Sequence, residues 1–194
     1  MGTNEQLLRF QGDSRHLQMA SVISMVIAHA KQQTQIELRD MIAGIYVANF
    51  ERILSFWTDA AAFEDFIAEH CDWSEPRMMT WSRWLVVKPR PPRTIPISFT
   101  TRFLTLYSKG SFVEKHFTES DELERVYSAA ISLSRNKFKS FGQVVPLITP
   151  ELFLFATIRT EGIQLRERLR MAGLRLKALE EAATRQLVSP EKMQ

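Results

Sequence analysis

Four prolines within nine residues constrain this chain more than any other feature. They lie in the stretch KPRPPRTIP, residues 88–96. Proline has no amide hydrogen to donate and also restricts the residue before it, so this stretch cannot form a regular helix. It predicts a stiff, extended linker at 89–96 that joins a helical domain at 1–88 to a second helical domain at 97–194.

Composition supports a folded protein with a substantial core. The chain has 194 residues, of which 45% are hydrophobic, and it contains 13 Phe and 4 Trp. Such an apolar content argues against disorder as the dominant state.

The single cysteine and the apolar segments indicate where in the cell the protein is expected. Cys71 stands alone, which excludes an internal disulfide and a zinc site built on several thiolates, and it favours a reducing environment. The N-terminus lacks the pattern of a signal peptide, and polar residues interrupt the longest apolar segment, 19–30. We therefore expect a soluble, cytoplasmic protein without a membrane partner.

Helical periodicity dominates the N-terminal half. Asp13 and Ser14 can cap a first helix that extends to about Gln33. The pattern predicts three further helices, at 36–57, at 60–70 with Thr58 or Asp59 as its cap, and from Ser74-Glu75-Pro76 to about Val87.

The C-terminal half is predicted to be helical with one ambiguous segment. Residues 97–107 fit either a strand or a helix, and a small β-hairpin within 97–117 could turn at 108–110. A helix is expected at 118–140, followed by a long final helix from Thr149-Pro150 to about Leu187. The fold class predicted for the whole chain is therefore mainly α.

The final helix carries a heptad pattern. Its apolar residues are spaced 4, 3, 4, 3 and 4 apart, which predicts a short coiled-coil seam of about three heptads: Leu165, Leu169, Ala172, Leu176, Leu179 and Ala183. Two interpretations stay open. The seam could join two copies of the chain or a protein partner, or the same face could pack against its own domain.

Positive charge is concentrated in the middle of the chain. Between Pro76 and Val113 there are seven basic residues and no acidic residue, although the net charge of the chain is only +3. Such a strip suits a phosphate backbone or an acidic protein, while a solvated surface is the simpler explanation.

The stretch FIAEHCDWSEPRMMTWSRWL, residues 66–85, has the features of two helices joined by a tight turn. The first helix would place Ile67 and Cys71 inward, with the small Ala68 at the crossing. Asp72 would form the turn, and Ser74 would cap a second helix. The apolar positions on the other side of the contact are Trp73, Met78 and Trp81.

This pattern resembles the helix-turn-helix motif of DNA-binding regulators, and the upstream IAGIYVANFERILSFWTDAAAFEDF resembles the helix that often precedes it. The resemblance covers about residues 38–85. It implies a recognition helix whose outward residues enter the major groove.

The resemblance also implies which residues would contact DNA. Thr80 and Arg83 would read base edges, with Met79 beside them, and Arg77 would hold a phosphate. Three basic residues of the proline segment would follow the backbone or a minor groove: Lys88, Arg90 and Arg93. The alternative is that both helices belong to the core and that their arginines are solvated.

Other kinds of site find little support in the sequence. The four histidines form no ligand pair at helical spacing, and HExxH, GxxxxGK[ST] and GxGxxG are absent, so we expect no metal and no cofactor. Cys71 as a nucleophile is a poorer explanation than Cys71 as a buried hydrophobic residue. The leading hypothesis is a non-enzymatic DNA-binding regulator, and the second is a helical adaptor or scaffold subunit that binds RNA or an acidic protein.

Overall fold

The first helix packs against the second through an unusually close contact. The structure is a computed structural model that describes residues 14–31, 33–71, 118–138 and 148–188. Helix α1 spans Arg15–Ala30, and the hydroxyl of Ser14 accepts a hydrogen bond from the Leu17 amide at 3.3 Å, as the predicted cap requires. Helix α2 spans Leu38–Ala48, and its Gly44 lies directly against the backbone of α1.

The predicted helix at 36–57 was wrong in its length, because it is interrupted at Asn49. Asn49 has φ −136° and ψ 33°, and its side-chain amide donates to the carbonyl of Ile45 at 3.3 Å. Asparagine side chains compete in this way with backbone hydrogen bonds, which ends α2. The chain then continues as a short helix α3, Phe50–Leu54.

Helix α4 has the predicted bounds. It spans Ala60–His70, and the carboxylate of Asp59 accepts from the amides of Ala61 at 2.9 Å and Ala62 at 3.4 Å. An aspartate at this position satisfies amides that the helix itself leaves without partners, which fixes where α4 begins.

Two short strands join segments that are far apart in sequence. Strand β1, Gln35–Ile36, pairs in parallel with strand β2, Thr118–Glu119, in the register Gln35 to Thr118 and Ile36 to Glu119. Helix α5, Asp121–Phe138, follows β2 directly, with the Ser120 hydroxyl accepting from the Leu123 amide at 3.3 Å. The helix predicted at 118–140 therefore exists, but its first residues form a strand.

The predicted long final helix was wrong, since three helices replace it. They are α6, Pro150–Arg159, α7, Gln164–Met171, and α8, Leu176–Val188. Between them Gly162 and Gly173 adopt φ of 72° and 87°, which no residue of an α-helix can have. The predicted helix start is confirmed, because Thr149 caps α6 through a 3.2 Å bond from the Leu152 amide.

The prediction of a continuous coiled-coil seam was wrong for the same reason. Leu169 is 1% exposed, Leu179 0% and Ala183 2%, all within the core of their own chain. Leu165, Ala172 and Leu176 are partly buried and pack against that core. A second copy or a protein partner would have to use another surface.

The described residues form one mainly helical body. Buried side chains from α1 to α4 and from α5 to α8 belong to a single hydrophobic cluster. The predicted N-terminal and C-terminal domains are therefore not separate in the described residues, while the linker at 89–96 and the segment 97–117 lie outside them. Within the same residues, no helix combines the length and the apolar character needed to cross a bilayer.

Candidate functional site

The side chains predicted to contact DNA all lie outside the described residues. This applies to the predicted recognition helix and to the proline segment: Arg77, Met79, Thr80, Arg83, Lys88, Arg90 and Arg93. Their roles remain predictions.

The first helix of the predicted motif is described, and its inward face is buried. Phe63, Ile67 and Cys71 are each 0% exposed, which confirms Ile67 and Cys71 as inward positions and Cys71 as a core residue. Ala68, which was predicted to lie at the helix crossing, is instead exposed. This part of the prediction was wrong.

Aromatic packing holds α4 against the preceding loop. The Trp57 ring stacks on Phe63 with centroids 3.6 Å apart and planes inclined by 19°, and Trp57 is only 4% exposed. Trp57 therefore belongs to the core. A stack of this kind orients the helix about its axis, because the ring cannot rotate without losing the contact.

A tyrosine also connects α4 to α2. The Tyr46 hydroxyl donates to the Glu64 carboxylate at 3.1 Å. Burial raises the pKa of Tyr46 above its usual value of 10, and the negative charge of Glu64 adds to this effect. The hydroxyl therefore stays protonated as a hydrogen-bond donor at neutral pH.

A polar cleft of about 610 Å³ opens beside the C-terminal end of α4. It is lined by residues from both strand segments, α2, α4, α5 and α7: Gln35, Glu37, Leu38, Arg39, Glu69, His70, Ser120, Asp121, Glu122, Gln164, Leu165 and Arg168. The volume is in the range of small-molecule pockets, although only two of the lining residues are apolar.

Several charged groups of the cleft already have hydrogen-bonding partners within it. Arg39 forms an ion pair with Glu37. The Glu122 carboxylate accepts a hydrogen bond from the backbone amide of Gln164 at 3.1 Å. Arg168 Nη1 lies 2.7 Å from His70 Nδ1, and an arginine can only donate, so Nδ1 accepts this hydrogen bond. The cleft therefore combines both signs of charge, and part of its polar surface is already hydrogen-bonded.

Sequence reasoning missed this cleft because its residues come from distant segments. The local signal was limited to the start of α2, where Glu37 and Asp40 form a capping box. The pairing of β1 with β2 brings the other segments together, and strands of two residues leave no periodic signal in a sequence.

A buried ion pair supports the start of α2 behind the cleft. Lys31 Nζ donates to Asp40 at 2.7 Å, and the other Asp40 oxygen accepts from the Glu37 amide at 2.9 Å. Burial raises the pKa of Asp40, and the hydrogen bond from Lys31 opposes this increase. The pair fixes the helix start and lies apart from the cleft surface, since the Asp40 side chain is 0% exposed.

Among the described residues, no cluster of three or more His, Cys, Asp or Glu side chains has the arrangement of a metal site. In comparisons with known proteins, no family model, no curated protein and no solved structure matches this chain.

Proposed function

We propose that this chain is a non-enzymatic DNA-binding regulatory protein that controls transcription or a mobile element. The observation that carries the proposal is α4, which begins and ends where the first helix of the motif is predicted and buries Ile67 and Cys71 on its inward face. In a helix-turn-helix unit this face supports the recognition helix, which follows after a short turn.

The charge of the segment after α4 supports the proposal independently. From Arg77 to Lys109 the chain has seven basic residues and no acidic residue. Cations in such a run neutralise phosphates and release counterions, which supplies the non-specific part of duplex binding. In this mechanism the basic segment anchors the backbone, while Thr80 and Arg83 read bases.

Binding of two variants to duplex DNA tests the proposal. Arg83→Ala should relax the preference between sequences by about 1–3 kcal/mol at one position, because a bidentate contact to guanine is lost. Lys88→Ala should weaken binding to all DNA sequences to the same extent, because a phosphate contact does not depend on the base. Arg135→Ala, at an exposed position of α5, is the matched control. Equal binding by the wild type and both variants would contradict the proposal.

A helical adaptor subunit is the second candidate, and the cleft favours it. Its mixed charges suit a polar segment of a protein partner better than a uniformly negative backbone. An adaptor should retain a stoichiometric partner in pull-downs, and Arg39→Ala, which removes one cation from the cleft, should weaken that retention without loss of DNA binding.

A further inference from the structure

The turn between α7 and α8 carries a dense group of cations. Residues 166–177 contain five basic residues and one acidic residue, Glu167. We call this segment the basic elbow. Four of its basic side chains are exposed: Arg168, Arg170, Arg175 and Lys177.

Local pairing neutralises only a small part of this charge. A single carboxylate oxygen of Glu167 lies 3.4 Å from both Arg166 Nε and Arg170 Nη1. One negative charge is thus shared between two arginines. A surplus of about four positive charges therefore remains within residues 166–177.

The start of α8 increases the positive potential at the elbow. Helix N-termini carry partial positive charge, and acidic side chains usually occupy the first turn for that reason. The first turn of α8 has no acidic residue, and Arg175 and Lys177 stand at its beginning. This arrangement opposes the usual preference, so it concentrates positive charge where helix stability alone would favour negative charge.

The elbow is attached to both ends of α4. At the N-terminal end, the carbonyl of Gly173 accepts from the Thr58 amide at 3.0 Å and from its hydroxyl at 3.1 Å. The Arg175 amide donates to the Phe56 carbonyl at 2.8 Å. At the C-terminal end, Arg168 contacts His70. These contacts hold α7 alongside the helix that leads into the predicted turn.

We propose that the basic elbow binds the phosphate backbone of a DNA duplex. The inference rests on the proposed function, to which it adds a second contact surface from the other end of the chain. The attachment favours this role, because it fixes the backbone from which the exposed cations extend, so less entropy is lost when they meet a phosphate.

The test is the salt dependence of duplex binding by the full chain. The double variant Arg170→Gln/Lys177→Gln removes two exposed cations and leaves the contacts of Arg168 and Arg175 intact. The matched control is Arg135→Gln/Arg185→Gln, which removes two exposed cations from α5 and from the far end of α8. The probe is a mixed-sequence duplex of about 25 base pairs, for which each lost phosphate contact lowers the slope of log K against log salt by about 1.

We expect the slope to fall by about 2 for the elbow variant and to stay at the wild-type value for the control. Wild-type slopes in both variants would overturn the elbow and leave the proposed function standing. A lower salt slope in the elbow variant, together with unchanged DNA binding by Arg83→Ala and Lys88→Ala, would support DNA binding by the elbow and overturn the helix-turn-helix assignment. Failure of the wild type to bind any duplex at low salt would overturn both.

Discussion

At the scale of single residues, the contact between α1 and α2 depends on the absence of a side chain at Gly44. A Cβ atom at Gly44 would lie 2.3 Å from the carbonyl oxygen of Ala20, an atom of the α1 backbone that cannot move independently. The sequence places Gly44 in a helical pattern, where glycine is unfavourable by about 1 kcal/mol relative to alanine. Close approach of α1 to α2 explains why glycine is found there.

We predict that Gly44→Ala destabilises the protein although alanine is the better helix former. The added methyl group would force α1 and α2 apart, which costs about 1–3 kcal/mol. Urea unfolding of the full chain measures the loss. Ser132→Thr adds a methyl group at an exposed position of α5 and should change stability by less than about 0.5 kcal/mol. Unchanged or increased stability of Gly44→Ala would show that the two helices are not in this contact.

The buried carboxyl group of Asp40 should make the stability of the protein depend on pH. Burial raises its pKa in the folded protein above the ordinary value of 3.8, so the folded state holds the proton over an interval in which the unfolded chain has released it. The free energy of unfolding then falls as pH increases through that interval. Asp40→Asn does not titrate.

We therefore expect the stability of the wild type relative to Asp40→Asn to decrease as pH rises above the ordinary carboxyl pKa of 3.8. Urea unfolding at several pH values provides the measurement. Asp65→Asn makes the same change at an exposed position and serves as the control. A relative stability that increases with pH would mean that the contact with Lys31, and not burial, dominates the titration of Asp40.

At the scale of elements, the sequence predicted helix starts better than helix breaks. Ser14, Asp59 and Thr149 each accept a hydrogen bond from a backbone amide of the helix that follows, because capping depends on residues next to each other in sequence. The breaks at Asn49 and Gly173 were missed. A heptad spacing is the same in one continuous helix and in two helices that both turn toward one core, so it could not distinguish them.

We predict that Gly173→Ala is more damaging than Gly162→Ala. Both glycines have positive φ, which costs other residues about 1–2 kcal/mol. At Gly173 a Cβ atom would also lie 2.5 Å from the Thr58 hydroxyl, whereas at Gly162 it would approach the flexible end of Arg125 at 3.1 Å. Midpoints of thermal unfolding compare the two variants. Equal destabilisation would mean that Thr58 does not hold the elbow.

At the scale of the whole molecule, distant segments complete one core in a way that local patterns do not reveal. The parallel pairing of β1 with β2 and the 2.8 Å bond from the Ser14 amide to the Ile148 carbonyl join parts of the chain more than 80 residues apart. Mainly α architecture was predictable, because periodicity reports each helix by itself. The shared core was not, since which apolar faces meet depends on all helices together.

In this arrangement, the proposed DNA interface combines residues from the N-terminal half of the chain with residues from the C-terminal half. Helix α4 leads into the predicted recognition helix, and the basic elbow near the C-terminus is attached to α4 by Thr58 and His70. A regulator built in this way should protect a defined site, because phosphate anchoring from two directions fixes its orientation on the duplex.

A footprint of the intact protein on genomic DNA tests this account most directly. We expect protection of discrete sites of about one to two helical turns, roughly 10–20 base pairs, and loss of that selectivity in Arg83→Ala. The account would be contradicted if the protein protected no discrete site, so that cleavage stayed uniform along the DNA at all concentrations below those that coat it completely.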